Sequence, residues 1–151
     1  MTSKETLDLF KSMDVMSETE VKARQEVELD TYILQTQIEG RVFNELVYSY
    51  IIPATVAYQN TLLTNVLGLK EVYGAAHKNF NNGPLNLIEQ ISEHLQALKK
   101  NTDAMVEARK KANAMTDIYK KAFSYCEDVK PYFEEIRKHS VIFNFLLISN
   151  I

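Results

Sequence analysis

The sequence predicts an all-α protein, an elongated antiparallel bundle of three long helices preceded by a short N-terminal helix. Two observations predict it. Only four glycines and three prolines interrupt 151 residues, and apolar residues recur every three or four positions over long stretches, the spacing of one helix face. The apolar pattern also keeps its phase through two interior prolines, Pro53 and Pro131. Because an interior proline removes a backbone hydrogen bond, we expect kinks near both residues rather than breaks.

Two capping signals mark the first helix starts. Thr2 with Glu5 precedes a short amphipathic segment, about residues 4–13, and Ser17 with Glu20 repeats the pattern. We therefore predict a short first helix and a second helix that begins near residue 18.

The second helix is predicted to run to residue 73, where Gly74 supplies a left-handed stop. If it were straight, it would be about 80 Å long at 1.5 Å per residue, so Pro53 is expected to bend it. Residues 75–84 are rich in Asn and Gly and predict a turn-rich connection. Pro84 then stands in the first turn of the next helix, where proline is well tolerated.

The third and fourth helices follow heptad patterns. The last helix is predicted to start at Thr116 or Asp117 and to pass through Pro131 as one kinked helix. In the third helix one heptad position holds Ile88, Leu95, Thr102 and Arg109, and the other holds Ile91, Leu98, Met105 and Ala112. In the last helix the two positions hold Ile118, Tyr125, Tyr132, His139 and Leu146, and Ala122, Val129, Ile136 and Phe143. Two segments, YIIP at 50–53 and VIFNFLLI at 141–148, have compositions that would also suit strands.

The predicted core follows from these patterns. It comprises Ile38, Val42, Leu46, Ile52, Val56, Leu63, Ile88, Ile91, Leu95, Leu98, Met105, Val129 and Ile136.

The charges are divided unevenly along the chain. Residues 1–47 hold five basic and ten acidic side chains, whereas residues 99–121 hold seven basic and three acidic ones. Two interpretations remain open: solvated faces of opposite sign, or antiparallel docking steered by charge. The net charge of −3 gives no reason to expect nucleic acid as a partner.

The single cysteine, Cys126, excludes an internal disulfide, and we expect it to be a buried apolar thiol. The N-terminus lacks the apolar run of a signal peptide, and no stretch reaches the roughly 20 apolar residues of a membrane span. These features predict a cytoplasmic protein.

Residues suited to catalysis are not grouped in this sequence. No glycine-rich phosphate loop is present, and His77, His94 and His139 are too far apart for a metal pair on one helix. His94 is expected on the exposed flank of its helix and His139 at the edge of a seam. We therefore predict no catalytic, cofactor-binding or metal-binding residue.

The candidate partner surface lies around Pro53 and comprises Glu39, Arg41, Tyr58, Gln59 and Asn60. Glu39 and Arg41, with Glu45, either form exposed ion pairs of small value or a partly buried polar network that contacts another domain.

Several segments carry a resemblance to a known family. They are ARQEVEL at 23–29, the phrase from Ile38 to Asn60 that contains IIPATVAYQN, GLKEVYG at 68–74, MVEARKKAN at 105–113 and YCEDVKPYFEEIRKH at 125–139. In this order and spacing they resemble the C-terminal helical region of type III glutamine synthetases.

The resemblance implies that residues 1–151 are one helical domain of a larger ATP-dependent glutamate–ammonia ligase of nitrogen assimilation. ATP and divalent metal would be bound by the parent enzyme's catalytic domains, so this chain alone is expected to be inactive. Its implied partners are those domains and neighbouring subunits, in a structural or oligomerisation role. A homo-oligomer is also compatible. The alternative is a stand-alone helical protein-interaction module.

Two departures from the family pattern concern this expectation. Tyr50 replaces a histidine common in the family phrase, and residues 140–151 form an uncharged, apolar end where the family continues with a charged helix. This end is the basis for expecting a truncated or frame-shifted reading.

Overall fold

The computed structural model describes residues 16–74 and 82–148, whose helices form three rods. The first rod, residues 18–73, consists of α1 (Glu18–Leu46), a π-helical segment (Val47–Ile51) and α2 (Ile52–Tyr73). The second rod is α3 (Asn82–Asn113). The third rod, residues 118–148, consists of α4 (Ile118–Ser124), a second π-helical segment (Tyr125–Val129) and α5 (Lys130–Ile148).

The all-α prediction is confirmed, since the described ranges contain no β-strand. The two segments whose composition would also suit strands lie in helices. The predicted short helix over residues 4–13 lies outside the described residues.

Capping residues explain where the first and third rods begin. The Ser17 hydroxyl accepts a hydrogen bond from the Glu20 amide, and the Glu20 carboxylate accepts one from the Ser17 amide at 2.8 Å. Asp117 Oδ1 accepts from the amides of Tyr119 and Lys120, at 2.9 and 3.0 Å. Both starts therefore satisfy amide groups that a helix leaves without partners, and the predicted starts are confirmed.

The end of the first rod and the start of the second differ in how well they were predicted. The first rod ends at the predicted Gly74, but its φ of +52° is combined with a ψ of −125°, so Gly74 does not have the predicted left-handed helical conformation. Asn82 and Gly83, however, are already helical, so the predicted connection was too long. The first-turn place of Pro84 is consistent with this earlier start.

The predicted heptads of the second and third rods describe the core well. Their buried members are Ile91, Leu98, Thr102, Met105, Ala112, Ala122, Tyr125, Val129, Ile136 and Phe143. Cross-rod burial of these side chains is the main source of stability in a bundle.

The predicted core face of the first rod was wrong. Ile38, Val42, Leu46, Val56 and Leu63 are 39–52% exposed, while Ile52 is half-buried. The inward face consists instead of Ile33, Thr36, Gly40, Phe43, Val47, Ile51, Thr55, Tyr58 and Leu62.

The π-helical segment explains the error. Along the inward face the steps alternate between three and four residues, except from Phe43 to Thr55, where three steps of four follow one another. One extra residue is thus present within the π-helical segment, where it is absorbed without rotating α2 away from the second rod. The third rod repeats the arrangement. After Val129 the next buried residue is Phe133, four residues on and 3% exposed, whereas the predicted Tyr132, three residues on, is only half-buried.

Side-chain contacts between the rods run in opposite order along the chain. From the first rod, Gln37 contacts Asn113, Tyr48 contacts Asp103, and Gln59 contacts Ser92. This order is the one expected of antiparallel neighbours.

Candidate functional site

The predicted partner surface is divided by the fold. Glu39, Arg41 and Asn60 are exposed, whereas Tyr58 and Gln59 are half-buried against the second rod. The side chains of Glu39 and Arg41 thus lie on the outward surface of α1. That these residues contact a partner remains a prediction.

Gln59 holds the first rod against the second. Its Nε2 donates to the Ser92 hydroxyl at 2.6 Å and to the Ile88 carbonyl at 3.4 Å. The Ser92 hydroxyl in turn donates to the same carbonyl at 2.8 Å. Because these groups satisfy one another across the rods, they fix the register of α2 on α3.

A second cross-rod bond lies beside the first π-helical segment. The Tyr48 hydroxyl donates to the Asp103 carboxylate. This hydrogen bond, with partial burial, raises the pKa of Tyr48 to about 12. It also lowers the pKa of Asp103, with a smaller contribution from Lys99. The Tyr48 hydroxyl thus joins the first rod to the second.

One side-chain oxygen joins all three rods. Asn113 Oδ1 accepts from Gln37 Nε2 at 2.7 Å and from the Tyr125 hydroxyl at 2.6 Å. Burial raises the pKa of Tyr125, whose side chain is fully buried. We call these three residues the polar node. Sequence reasoning assigned Tyr125 to the core but did not find its two partners, because they come from different helices.

Gly40 marks a close approach of the rods near this node. A Cβ built on Gly40 would lie 3.6 Å from both Arg109 Cδ and Phe133 Cε1. Phe133 also packs on Phe43, with ring centroids 5.0 Å apart. The lack of a side chain at Gly40 therefore leaves room for side chains of the other two rods.

Two histidines that are far apart in sequence meet between the second and third rods. His94 and His139 are both half-buried, and burial first, then the His94 neighbour, lowers the pKa of His139. The prediction that His139 lies at a seam edge is confirmed, but the predicted exposure of His94 was wrong. The pair could not be found from sequence because it forms only when α3 and α5 pack.

Cys126 is exposed rather than buried, which corrects the prediction. Tyr125 and Val129 take the inward positions of the second π-helical segment. Cys126, which follows Tyr125, consequently lies on the exposed side of this segment.

A groove with a volume of about 780 Å³ lies between the second and third rods. Its charged lining includes Glu107, Glu127, Asp128 and Glu135. Glu107 forms an ion pair with Lys110, and Asp128 accepts from the Ser124 hydroxyl at 2.7 Å. The carboxylates of Glu107 and Asp128 are thus bound by neighbours on their own rods, which is the ordinary arrangement of a solvated helix face.

Charge pairing follows the same local rule elsewhere. Within residues 16–74 and 82–148, every ion pair joins residues three or four apart on one helix. This favours solvated faces over docking of the rods by opposite charges. In the same residues, no three His, Cys, Asp or Glu side chains are grouped to hold a metal ion.

Eight apolar residues are exposed on the outward side of the first rod, alongside exposed charged residues such as Arg24, Glu28 and Glu45. The eight are Val27, Leu34, Ile38, Val42, Leu46, Val56, Leu63 and Leu67, each 39–65% exposed. We call these eight residues the outer stripe. Glu39, Arg41 and Glu45 stand beside its α1 half. None of the described helices is long and apolar enough to cross a membrane.

Comparison with known proteins identifies the family that the chain resembles. The family model "Glutamine synthetase C-terminal domain" matches residues 1–70. The chain is 40% identical over 126 residues to a glutamine synthetase of Bacteroides fragilis (strain YCH46), covering 83% of this chain and 17% of that protein. It is 26% identical over 139 residues to a glutamine synthetase of Butyrivibrio fibrisolvens, covering 91% of this chain and 19% of that protein.

The resemblance to the C-terminal part of a glutamine synthetase is thereby confirmed. The chain spans less than a fifth of the length of these two relatives. Their names refer to proteins several times longer than this one.

Proposed function

We propose that this chain is a non-catalytic helical domain of a glutamine synthetase, with a structural role in packing on the rest of the enzyme and in subunit assembly. The observation that carries the proposal is the match to a glutamine synthetase over 83% of this chain and only 17% of the relative. A domain with this relation to its relatives acts as one part of a larger protein.

The cross-rod contacts suit a structural role. Asn113 joins three rods, and Gln59 and Tyr48 each bind α3 from the first rod. Polar contacts between rods favour one register among several that an apolar core would allow. We propose on these grounds an antiparallel bundle bent at the π-helical segments before Pro53 and Pro131.

Ligase chemistry would take place outside this chain. The resemblance implies ATP and a divalent metal for the parent enzyme, but the described residues contain no group of three metal-ligand side chains. The chain's part in glutamine synthesis would therefore be indirect, and its location would be the cytoplasm, as for the parent enzyme.

The test uses the Bacteroides fragilis relative. A variant of that synthetase lacking the segment that aligns with this chain is purified and mixed with this chain. Sedimentation velocity measures complex formation and subunit assembly, and glutamine formation is assayed in parallel. The proposal predicts that the chain binds the shortened synthetase and is itself inactive. A chain that never binds, or one that forms glutamine alone, would contradict it.

The alternative, a stand-alone interaction module, is distinguished at the level of the gene. A contiguous reading frame with glutamine synthetase catalytic motifs upstream supports the domain. An isolated promoter and start site supports the module.

A further inference from the structure

We propose that the outer stripe is the surface by which this domain docks on the remainder of a glutamine synthetase polypeptide, which makes the inference dependent on the proposed function. The first rod has two apolar faces: the inward one is covered by the other two rods, and the outward one is not covered within the described residues. The occupant we assign to the outward face is the part of the synthetase that lies beyond this chain.

The exposure of the stripe is unusual for a bundle. Leu34, Ile38 and Val42 are 57%, 52% and 48% exposed, and Leu67 is 65% exposed. Scattered exposed apolar side chains are normal on protein surfaces. Here they repeat at steps of four or seven within α1 and within α2, with one step of ten across the π-helical segment, and all are exposed on the outward side of the first rod.

Helix α2 carries the argument further. Among its 22 residues only Lys70 and Glu71 are charged. Solvated helices usually carry charged side chains on the face opposite the core. On α2 the exposed polar residues Asn60, Thr61, Thr64 and Asn65 are uncharged, and they lie among exposed apolar ones. The outward side of α2, around Val56 and Leu63, is therefore suited to contact with protein.

The dimensions agree with a protein interface. From Val27 to Leu67 the stripe is about 60 Å long at 1.5 Å per residue, and a helix is about 10 Å wide. The resulting area, on the order of 600 Å², is at the upper end of the roughly 300–600 Å² that the largest apolar patch of a typical monomer covers. It approaches the roughly 800 Å² that each partner contributes to a standard interface.

Two observations favour the synthetase over a second copy of this chain. The family model covers residues 1–70, which include the whole stripe and exclude the second and third rods. The part of the chain that this family model matches therefore contains every residue of the outer stripe. In addition, the chain accounts for 17% of the length of the Bacteroides fragilis relative, so most of that protein is available to cover the stripe.

The experiment compares matched double variants. Two variants place lysines in the stripe: Ile38→Lys with Leu46→Lys in α1, and Leu63→Lys with Leu67→Lys in α2. The control, Phe123→Lys with Val141→Lys, places lysines at equally exposed apolar residues of the third rod, which are 69% and 59% exposed. Circular dichroism confirms that each variant keeps its helix content.

Binding to the shortened Bacteroides fragilis synthetase is then measured by biolayer interferometry, and self-association by sedimentation. We expect each stripe variant to bind at least about tenfold more weakly, because a lysine ammonium would be buried among apolar groups. The control variant should bind within about twofold of the unmodified chain.

Three results would overturn the inference. Equal weakening in the control, or unchanged binding of both stripe variants, would exclude the stripe while the proposed function stands. Loss of self-association in the stripe variants, with synthetase binding unchanged, would assign the stripe to a second copy. A chain that does not bind the shortened synthetase at all would remove the inference together with the proposed function.

Discussion

His94 Nδ1 lies 3.2 Å from His139 Nδ1, although the two residues are 45 positions apart in the sequence. The ring of His94 also meets the ring of Phe143 edge-on, with centroids 6.3 Å apart. At this contact one imidazole must donate and the other accept. The contact therefore requires a proton on only one of the two Nδ1 atoms.

The histidine pair predicts a loss of stability at mildly acidic pH. The pKa of His139 in the folded chain is lowered from its ordinary value of 6.5 by burial and by His94; Lys138 also lowers it, and Glu135 opposes the shift. Below 6.5 the unfolded chain binds more protons than the folded chain, so the free energy of unfolding falls as the pH falls. Thermal unfolding followed between about pH 7.5 and 5.5 should show this decrease.

The variant that tests this prediction is His139→Gln. Replacing His139 removes the group whose pKa is shifted, so the slope of stability against pH should flatten in that interval. An unchanged slope in His139→Gln would contradict the assignment.

The polar node predicts an energetic coupling between rods. Asn113→Ala leaves the buried Tyr125 hydroxyl without its acceptor, which should lower the free energy of unfolding by about 1–3 kcal/mol. The single variant Tyr125→Phe removes the donor instead, and it should lower the free energy of unfolding by about 1 kcal/mol. In the double variant the two losses should not add, because both changes remove the same bond.

Urea unfolding of the single and double variants measures this coupling. Tyr50→Phe is the control, since Tyr50 is 63% exposed, and its effect should be within about 0.5 kcal/mol. Strictly additive losses would show that the hydrogen bond does not contribute.

Gly40 predicts a stabilising substitution. The Cβ of Gly40→Ala would meet Arg109 and Phe133 at 3.6 Å, an ordinary van der Waals distance. Alanine in a helix interior is more favourable than glycine by about 0.5–1 kcal/mol, so the melting temperature should rise. Gly68→Ala, where no atom lies within 4 Å of the added Cβ, should give a similar gain.

A larger residue at Gly40 should have the opposite effect. Gly40→Leu adds atoms to a filled space between the rods and should destabilise by about 1–3 kcal/mol. If Leu were tolerated as well as Ala in differential scanning calorimetry, the close approach of the rods at this point would be refuted.

The π-helical segment predicts that one deletion is tolerated and another is not. Deleting the exposed Ser49 removes the extra residue between Val47 and Ile51 and leaves the alternation of three and four intact. Thr55, Tyr58 and Leu62 would still face the second rod, so unfolding should stay cooperative. Deleting the exposed Gln35 rotates the inward residues on one side of it by about 100° relative to those on the other.

Circular dichroism melting curves of the two deletion variants provide the measurement. The Gln35 deletion should lower the melting temperature strongly or abolish cooperative unfolding, because it exposes buried apolar groups. Equal damage by both deletions would argue against a residue accommodated by the π-helical segment.

The sequence predicted where the first and third rods begin, and it predicted the inward faces of the second and third rods. Caps are local, so Ser17 with Glu20 and Asp117 could be recognised from neighbouring residues alone. The regular heptads of α3 likewise predicted Ile91, Leu98 and Met105 as core residues, and all three are buried. Each of these predictions depends on residues within a few turns of one another.

The inward face of the first rod was not predictable in the same way. This rod has apolar residues on two faces, and periodicity does not say which face meets the other rods. The small residues Gly40 and Thr55 on the inward face carry little hydrophobic signal, while Leu34 and Ile38 on the outward face carry much. The choice is made by the fit of Phe133 and Arg109 against Gly40, a contact between distant parts of the chain.

By itself, the sequence determined the helical class, the start and end of the first rod, the start of the third rod, the heptad pattern of the second and third rods and the resemblance to glutamine synthetase. Only the tertiary structure decided which face of the first rod is buried, that one Asn113 oxygen serves three rods, and that His94 meets His139. The physical reason is range. Propensity, capping and spacing act within a helix, whereas partner choice depends on which side chains from distant segments fill the same space and satisfy the same polar atoms.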